Sequence, residues 1–235
     1  MNLQPSLAHA EAYLNVHLSR SGPGQFGHTG GPFVTVSRES GSGGSSFARA
    51  LAGRLEQVLP GHAPWTVFDR NLVELMLQSE HLSPRIARFL PEDKVSEIDA
   101  SIGELLGLHP SLWQLIQRTN ELMRQLARTG CVVLVGRGAN CATESVAGGL
   151  HVRLVAPADF RARQTAREIG VTEDAAVDYN LRVDAARRSY VRAVFETDLT
   201  RASLYDLLVN RATVPLEEAV ELATMLLRAR LPVTA

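Results

Sequence analysis

Residues 34–55, VTVSRESGSGGSSFARALAGRL, set glycines, hydroxyls and an Arg–Glu pair in an order suited to holding an anion. The β-rich run Phe33–Ser37 leads into Gly41, Gly43 and Gly44, which permit tight turns and let a ligand come close to the backbone. Ser45 and Ser46 then open a helical pattern running to Leu59. A helix N-terminus leaves N–H groups unpaired at the positive end of its dipole, so successive amides in such a turn form an anion cup. Strand, glycine turn and helix are together the setting of a phosphate-binding P-loop. The consensus GxxxxGK(S/T) is not met. With Ser46 in the place of the final hydroxyl, Gly44 stands at the lysine and Arg38 at the first glycine.

Other residues carry charge toward the same place. Arg38 either binds phosphate, reaching across the loop in place of the lysine, or pairs with Glu39 to stiffen it. Glu39 in turn either orients Arg38, binds magnesium through water, or only forms that pair. Asp69 ends a strand, at the edge where open α/β sheets take ligands, or else caps the helix that starts near Asn71. Arg137 lies between two glycines directly after an apolar strand, which favours a phosphate role. Asn140 follows it and is read as a turn cap. Arg163 and Arg167 share a helix face, while Arg182, Arg187, Arg188 and Arg192 fit a mobile charged region or a plain solvated surface. His62, His81, His109 and His151 are scattered without metal-ligand spacing.

The elements that must position these residues are legible as alternating patterns. Short apolar runs at Phe33–Ser37, Trp65–Phe68, Cys131–Val135, Leu150–Val155 and Leu207–Val209 are separated by helical patterns at Ser46–Leu59, Leu112–Arg128, Pro157–Ile169 and Pro215–Arg230. The run CVVLV is apolar on both faces, as a central parallel strand is. Strand alternating with helix implies a parallel sheet covered on both sides. About 60 residues separate the second and third runs, too many for a structureless loop, so a helical insertion at about 80–110 is expected there. At the front, residues 1–20 have Leu7, Ala10, Leu14 and Leu18 on one helical face, followed by a Gly- and Pro-rich linker at 21–32. The remaining residues, 33–235, form the main domain.

The chain has 235 residues and a formal net charge of −1, so it carries no broad field for nucleic acid. Arg outweighs Lys among the bases, which suits forked contacts to phosphate and equally fits codon bias in a GC-rich genome. Two cysteines, Cys131 and Cys141, are too few for a disulfide framework. No apolar stretch reaches the roughly 18 residues of a membrane span, and no secretory leader is visible. A cytoplasmic protein without nucleic-acid or membrane partners is expected, with the N-terminal helix a possible homodimer contact.

The motif SRESGSGG resembles the SRE-(aromatic)-GSGG signature of the cytidylate kinase-like proteins. VFDRNLVE, LVGRGAN, HVRLVAPADFRARQTARE, LYDLLVN and LEEAVEL follow in that family's order, so the resemblance spans about residues 33–230. It implies an α/β P-loop fold of nucleoside monophosphate kinase type: five parallel strands, helices on both faces, a helical insertion and a lid at about 158–195. The implied reaction is phosphoryl transfer from ATP to CMP or dCMP with Mg2+. By the resemblance, Gly41, Ser42, Gly43, Gly44, Ser45 and Ser46 hold the donor's phosphates. Ser46 and Glu39 stand near the metal. Asp69, Arg137, Asp184 and Arg187 stand near the acceptor, and Arg38, Arg137, Arg163 and Arg188 face the transferring group. True cytidylate kinases, relatives of that family, keep the loop lysine where this chain has Gly44 and carry acids around the turn after the third strand, where it has Val135 and Gly138. Loss of one such charge costs roughly two to four powers of ten in rate, so a weakly active or inactive nucleotide-binding module of the same fold is the alternative expectation.

Overall fold

The structure, a computed structural model, describes residues 31–59, 63–69, 110–136 and 138–231. The expected N-terminal helix, nearly all of its linker and of the helical insertion, and Arg137 lie outside the described residues.

The elements are β1 (Phe33–Arg38), α1 (Gly44–Val58), β2 (Thr66–Phe68), α2 (Pro110–Thr129), β3 (Val132–Val135), α3 (Ala139–Ala142), β4 (Gly149–Val155), α4 (Ala158–Ile169), α5 (Glu173–Phe195), β5 (Leu207–Asn210) and α6 (Leu216–Arg230). The strands form one parallel sheet in the order β2-β3-β1-β4-β5. Parallel neighbours cannot be joined by tight hairpins, so every crossover carries helix. β1 sits centrally, with Phe33 in register with Val132 on one side and Gly149 on the other. The chain leaves β1 toward one edge and returns past it to the other. The crevice beyond the β1 and β3 carboxyl ends is therefore the place where open α/β sheets take ligands.

Both faces of the sheet are apolar because both are covered. Successive side chains alternate. Val34, Val36, Val133, Leu150 and Val152 meet Phe47, Leu51 and Leu55 of α1 and Ala219, Ala223 and Leu227 of α6. Phe33, Phe68, Val132 and Leu134 face the other way, onto Met123, Leu126 and Ala127 of α2 and Ala139 and Ala142 of α3. Each fully buried Leu or Phe in these layers contributes about 1.5–3 kcal/mol. The expected strands and helices are present with shifted ends. β1 continues to Arg38, and α1 starts at Gly44, two residues early, because Gly43 takes the left-handed conformation (φ 83°) as its N-cap.

Residues 158–195, expected as a lid, contain two helices, α4 and α5, packed on each other. Gly170, at φ 73°, ends α4. Thr172 caps α5 by accepting the Ala175 N–H, and Glu173 and Asp174 sit on the positive end of its dipole. Among the described residues, no helix is long and apolar enough to cross a membrane.

Candidate functional site

The turn from β1 to α1 is fastened from outside. The Glu39 amide donates to Leu154 O (3.0 Å), and the Glu39 carboxylate accepts the Ala156 N–H (3.0 Å). Ser40 N–H donates to Asp184 Oδ1 at 2.8 Å, while Arg161 donates to Ser40 O at 3.1 Å. Arg161 and Arg187 both reach Asp184, at 2.6 and 3.3 Å, and all three side chains are only 12% exposed. Gly41 (φ 78°) runs so close to α4 that a Cβ there would lie 2.4 Å from Arg161 O. Ser42 is folded underneath, its hydroxyl donating to Glu39 O.

That bracing turns the inner side of the loop toward space. No side chain caps α1, and a Cβ on Gly43 would meet nothing within 4 Å. The N–H groups of the first turn, which have no intrahelical partner, are left for a ligand. They open into a cavity of about 640 Å³ walled by the loop, Asp69, α4 and α5. Arg38, Arg49, Arg167 and Arg187 all line it. Arg49 and Arg167 form no ion pair among the described residues. On the α1 side, Ser45 Oγ donates to Asp69 Oδ2 at 2.5 Å, and Arg38 Nη2 lies 3.8 Å from Asp69 Oδ1.

A second cavity of about 40 Å³ adjoins the first. It is mainly apolar, walled by Val36, Ala139, Ala186, Tyr190, Val191 and Leu199, with Ser37 and the buried Asn140 as polar groups. Arg38 and Arg187 line both cavities and so form the partition between them. Beyond the wall, Arg153 donates to Ser37 Oγ (3.0 Å) and Tyr205 donates to Leu199 O (2.7 Å), which ties the outer wall to the sheet.

The structure brings Arg38, Gly41, Gly43, Gly44, Ser45, Ser46, Asp69 and Arg187 to the large cavity. It places others elsewhere. Ser42 is buried under the loop and does not reach the cavity. Glu39 borders it, but its carboxylate is committed to the Ala156 N–H and to Arg161 (3.6 Å), which argues against a metal role. Asp184 holds the Ser40 amide and two arginines instead of facing a ligand. Arg163 is an exposed surface residue paired with Asp159 at 3.0 Å, and Arg188 lines a separate cleft with Arg192 and Asp198. Arg163 and Arg167 share a face of α4 but stand about 6 Å apart along its axis, and only Arg167 lies level with the cavity. Arg49 carried no motif signal. Its place one turn past Ser45 on α1 is the feature that puts it at the cup.

Neither cysteine offers a thiolate at neutral pH: burial pushes both Cys131 and Cys141 up to about 11. Among the described residues, no group of three or more His, Cys, Asp or Glu is placed to hold a metal.

The loop after β1 is thus braced from outside by a distant carboxylate, followed by a helix without a side-chain cap, and faced by the α4–α5 pair. The model of the cytidylate kinase-like family matches residues 33–213. The chain belongs to the cytidylate kinase-like family. Among solved structures, an uncharacterised protein from Eubacterium ventriosum superposes with a TM-score of 0.61 at 17% identity, over 85% of this chain and 99% of the other. Protein TT1252 from Thermus thermophilus follows at a TM-score of 0.52 and 16% identity, over 87% of this chain and all of that one (100%). Likeness at this identity speaks for the fold alone, a parallel-sheet α/β fold of nucleoside monophosphate kinase type. Among curated proteins, the uronate isomerase of Corynebacterium glutamicum is 26% identical over 106 residues. That stretch is 45% of this chain and 20% of the isomerase, so the chain spans about a fifth of that relative's length.

Proposed function

We propose that this family member binds ATP through the β1–α1 cup and transfers its terminal phosphate, with Mg2+, to CMP, dCMP or a related acceptor. One observation carries the reading: the uncapped α1 N-terminus opens past Gly43 into a large polar cavity that four arginines enter. Amides and guanidinium groups converging on one space suit a chain of phosphates, and phosphoryl transfer is mostly positioning and charge neutralisation.

Mg2+ favours a few hard oxygen ligands together with phosphate oxygens. The Ser46 hydroxyl on the cavity wall fits that preference and would hold it together with phosphate oxygens. Bound there, the ion would supply positive charge against the phosphate oxygens. Gly43 lets the donor lie against bare backbone, Arg49 and Arg167 neutralise its oxygens, and the α4–α5 pair excludes water from above.

Gly44 at the lysine position favours a second reading, nucleotide binding with little turnover. Titration calorimetry with ATP and ADP, with and without Mg2+, tests the shared part. A coupled assay for ADP release across a panel of nucleoside monophosphates separates the two. Binding with CMP-dependent release supports transfer, and binding without release supports the second reading. No binding of any nucleotide overturns both.

A further inference from the structure

Gly44 has no conformational reason to be glycine. It is the first residue of α1, in a helical conformation open to any L-residue. The reason is space. A Cβ at position 44 would stand 2.7 Å from Cγ, 3.1 Å from Cβ and 3.2 Å from Cδ of Arg38. The aliphatic stem of Arg38 lies across the start of α1, and its side chain is 6% exposed. Two side chains cannot share that volume without one being displaced.

The head of the same residue is equally constrained. Arg38 leaves the end of β1, passes over Gly44 and reaches the partition between the two cavities, with Asp69 3.8 Å from Nη2. Asp69 also accepts from Ser45, so a single carboxylate ties the guanidinium to the mouth of the cup. Arg187 stands on the same partition and donates to Arg38 O (3.3 Å), which fixes the backbone from which Arg38 departs.

We propose that Arg38 is a catalytic residue. It delivers from the strand side the charge that a lysine at position 44 would deliver from the helix side, and Gly44 is the vacancy that admits it. The proposal rests on the phosphoryl-transfer reading above. In the step, an acceptor phosphate oxygen, entering as the dianion, bonds to the terminal phosphorus of ATP. The bond from that phosphorus to its bridging oxygen breaks, and ADP leaves with the electron pair. No proton moves. Arg38 stays protonated throughout and neutralises oxygens on the group in transit, a task its forked donors suit.

The test is a reciprocal exchange. Arg38→Met keeps the stem and loses the charge, with Arg38→Gln as a second variant should the first melt early. Gly44→Ala keeps the charge and crowds the stem, and Arg38→Ala/Gly44→Lys moves the cation to the helix side. Turnover and ATP affinity are read separately. The proposal expects Arg38→Met to lose about 100- to 1,000-fold in kcat while ATP affinity changes little. Gly44→Ala should fall in the same direction, and the double variant should regain at least about tenfold over Arg38→Ala alone. Turnover by Arg38→Met within about threefold of the parent overturns it, as does a double variant no faster than Arg38→Ala. A parent chain that binds ATP yet passes its phosphate to no acceptor, water included, also overturns it and leaves nucleotide binding standing. Absence of any nucleotide binding instead removes the reading beneath it.

Discussion

Two turns leave the middle of the sheet side by side, after β1 and after β3, and both carry a pair of left-handed glycines: Gly41 and Gly43 in one, Gly136 and Gly138 in the other. Their surroundings differ. The first is fastened on its outer side by Arg161, Asp184 and Leu154, so its inner side stays clear and a Cβ on Gly43 would touch nothing. The second is pressed from within. A Cβ on Gly138 would come within 2.4 Å of the Phe195 ring, and the helix that follows has only four residues. Its place is beside the small apolar cavity. The same local chemistry thus builds an open turn where bracing comes from outside, and a packed wall where a side chain fills the inside.

The largest effect is expected from removing the brace. Asp184→Ala leaves Arg161 and Arg187 without their shared carboxylate and the Ser40 amide without its acceptor. Breaking a mostly buried pair from one side costs about 3–5 kcal/mol, toward the lower end here because some exposure remains. The urea midpoint should fall accordingly, and ATP affinity with it. A variant that unfolds like the parent would mean the first turn does not depend on its outer fastening.

Next comes alanine in each turn. Gly138→Ala forces a left-handed alanine against Phe195 and should cost about 3 kcal/mol of stability, read by thermal or urea unfolding. Gly43→Ala meets no neighbour and should cost only about 1 kcal/mol, the left-handed penalty. Its methyl group points into the cup, so the loss should appear in ATP affinity measured by calorimetry. Equal destabilisation with unchanged affinity would erase the distinction between the two turns.

A smaller effect distinguishes residues that spacing alone could not. Arg167→Ala should weaken ATP binding by about fivefold, the loss of one partly solvated charge contact of about 1 kcal/mol. Arg163→Ala, whose head pairs with Asp159 on the surface, should leave affinity within about twofold. Comparable losses from both would show that α4 faces the nucleotide differently.

These cases mark what the sequence could carry. Strand and helix order was legible because short apolar runs such as CVVLV alternate with segments of helical pattern. The β1–α1 loop was legible because its glycines precede a helix start. The tasks of Glu39, Ser42 and Asp184 were not legible. Each is a polar residue whose partner lies far along the chain or on the backbone, such as Ala156 N–H for Glu39 and Ser40 N–H for Asp184. Gly44 was read as a missing lysine. Only the position of the Arg38 stem shows it to be a space kept open.

The far end of the sheet supplies a control in which the cup should be silent. His151, three residues into β4, has Nδ1 2.7 Å from Thr35 Oγ1 and its ring edge-on to Phe33. Burial, reinforced by Arg230 and opposed by Asp206 and Glu144, holds its pKa below the usual 6.5, so the folded chain favours the neutral ring. The unfolded chain takes up that proton first. Stability from this site is therefore complete above the unfolded value and declines as pH falls from it toward the folded one. His151→Gln should flatten that decline in unfolding measured between about pH 7 and 5, relative to the parent. The variant and the parent should show the same change in ATP affinity across the window, since His151 borders neither turn. A difference between them in binding would mean that the two ends of the sheet are coupled along β4, whose Leu154 carbonyl holds the Glu39 amide.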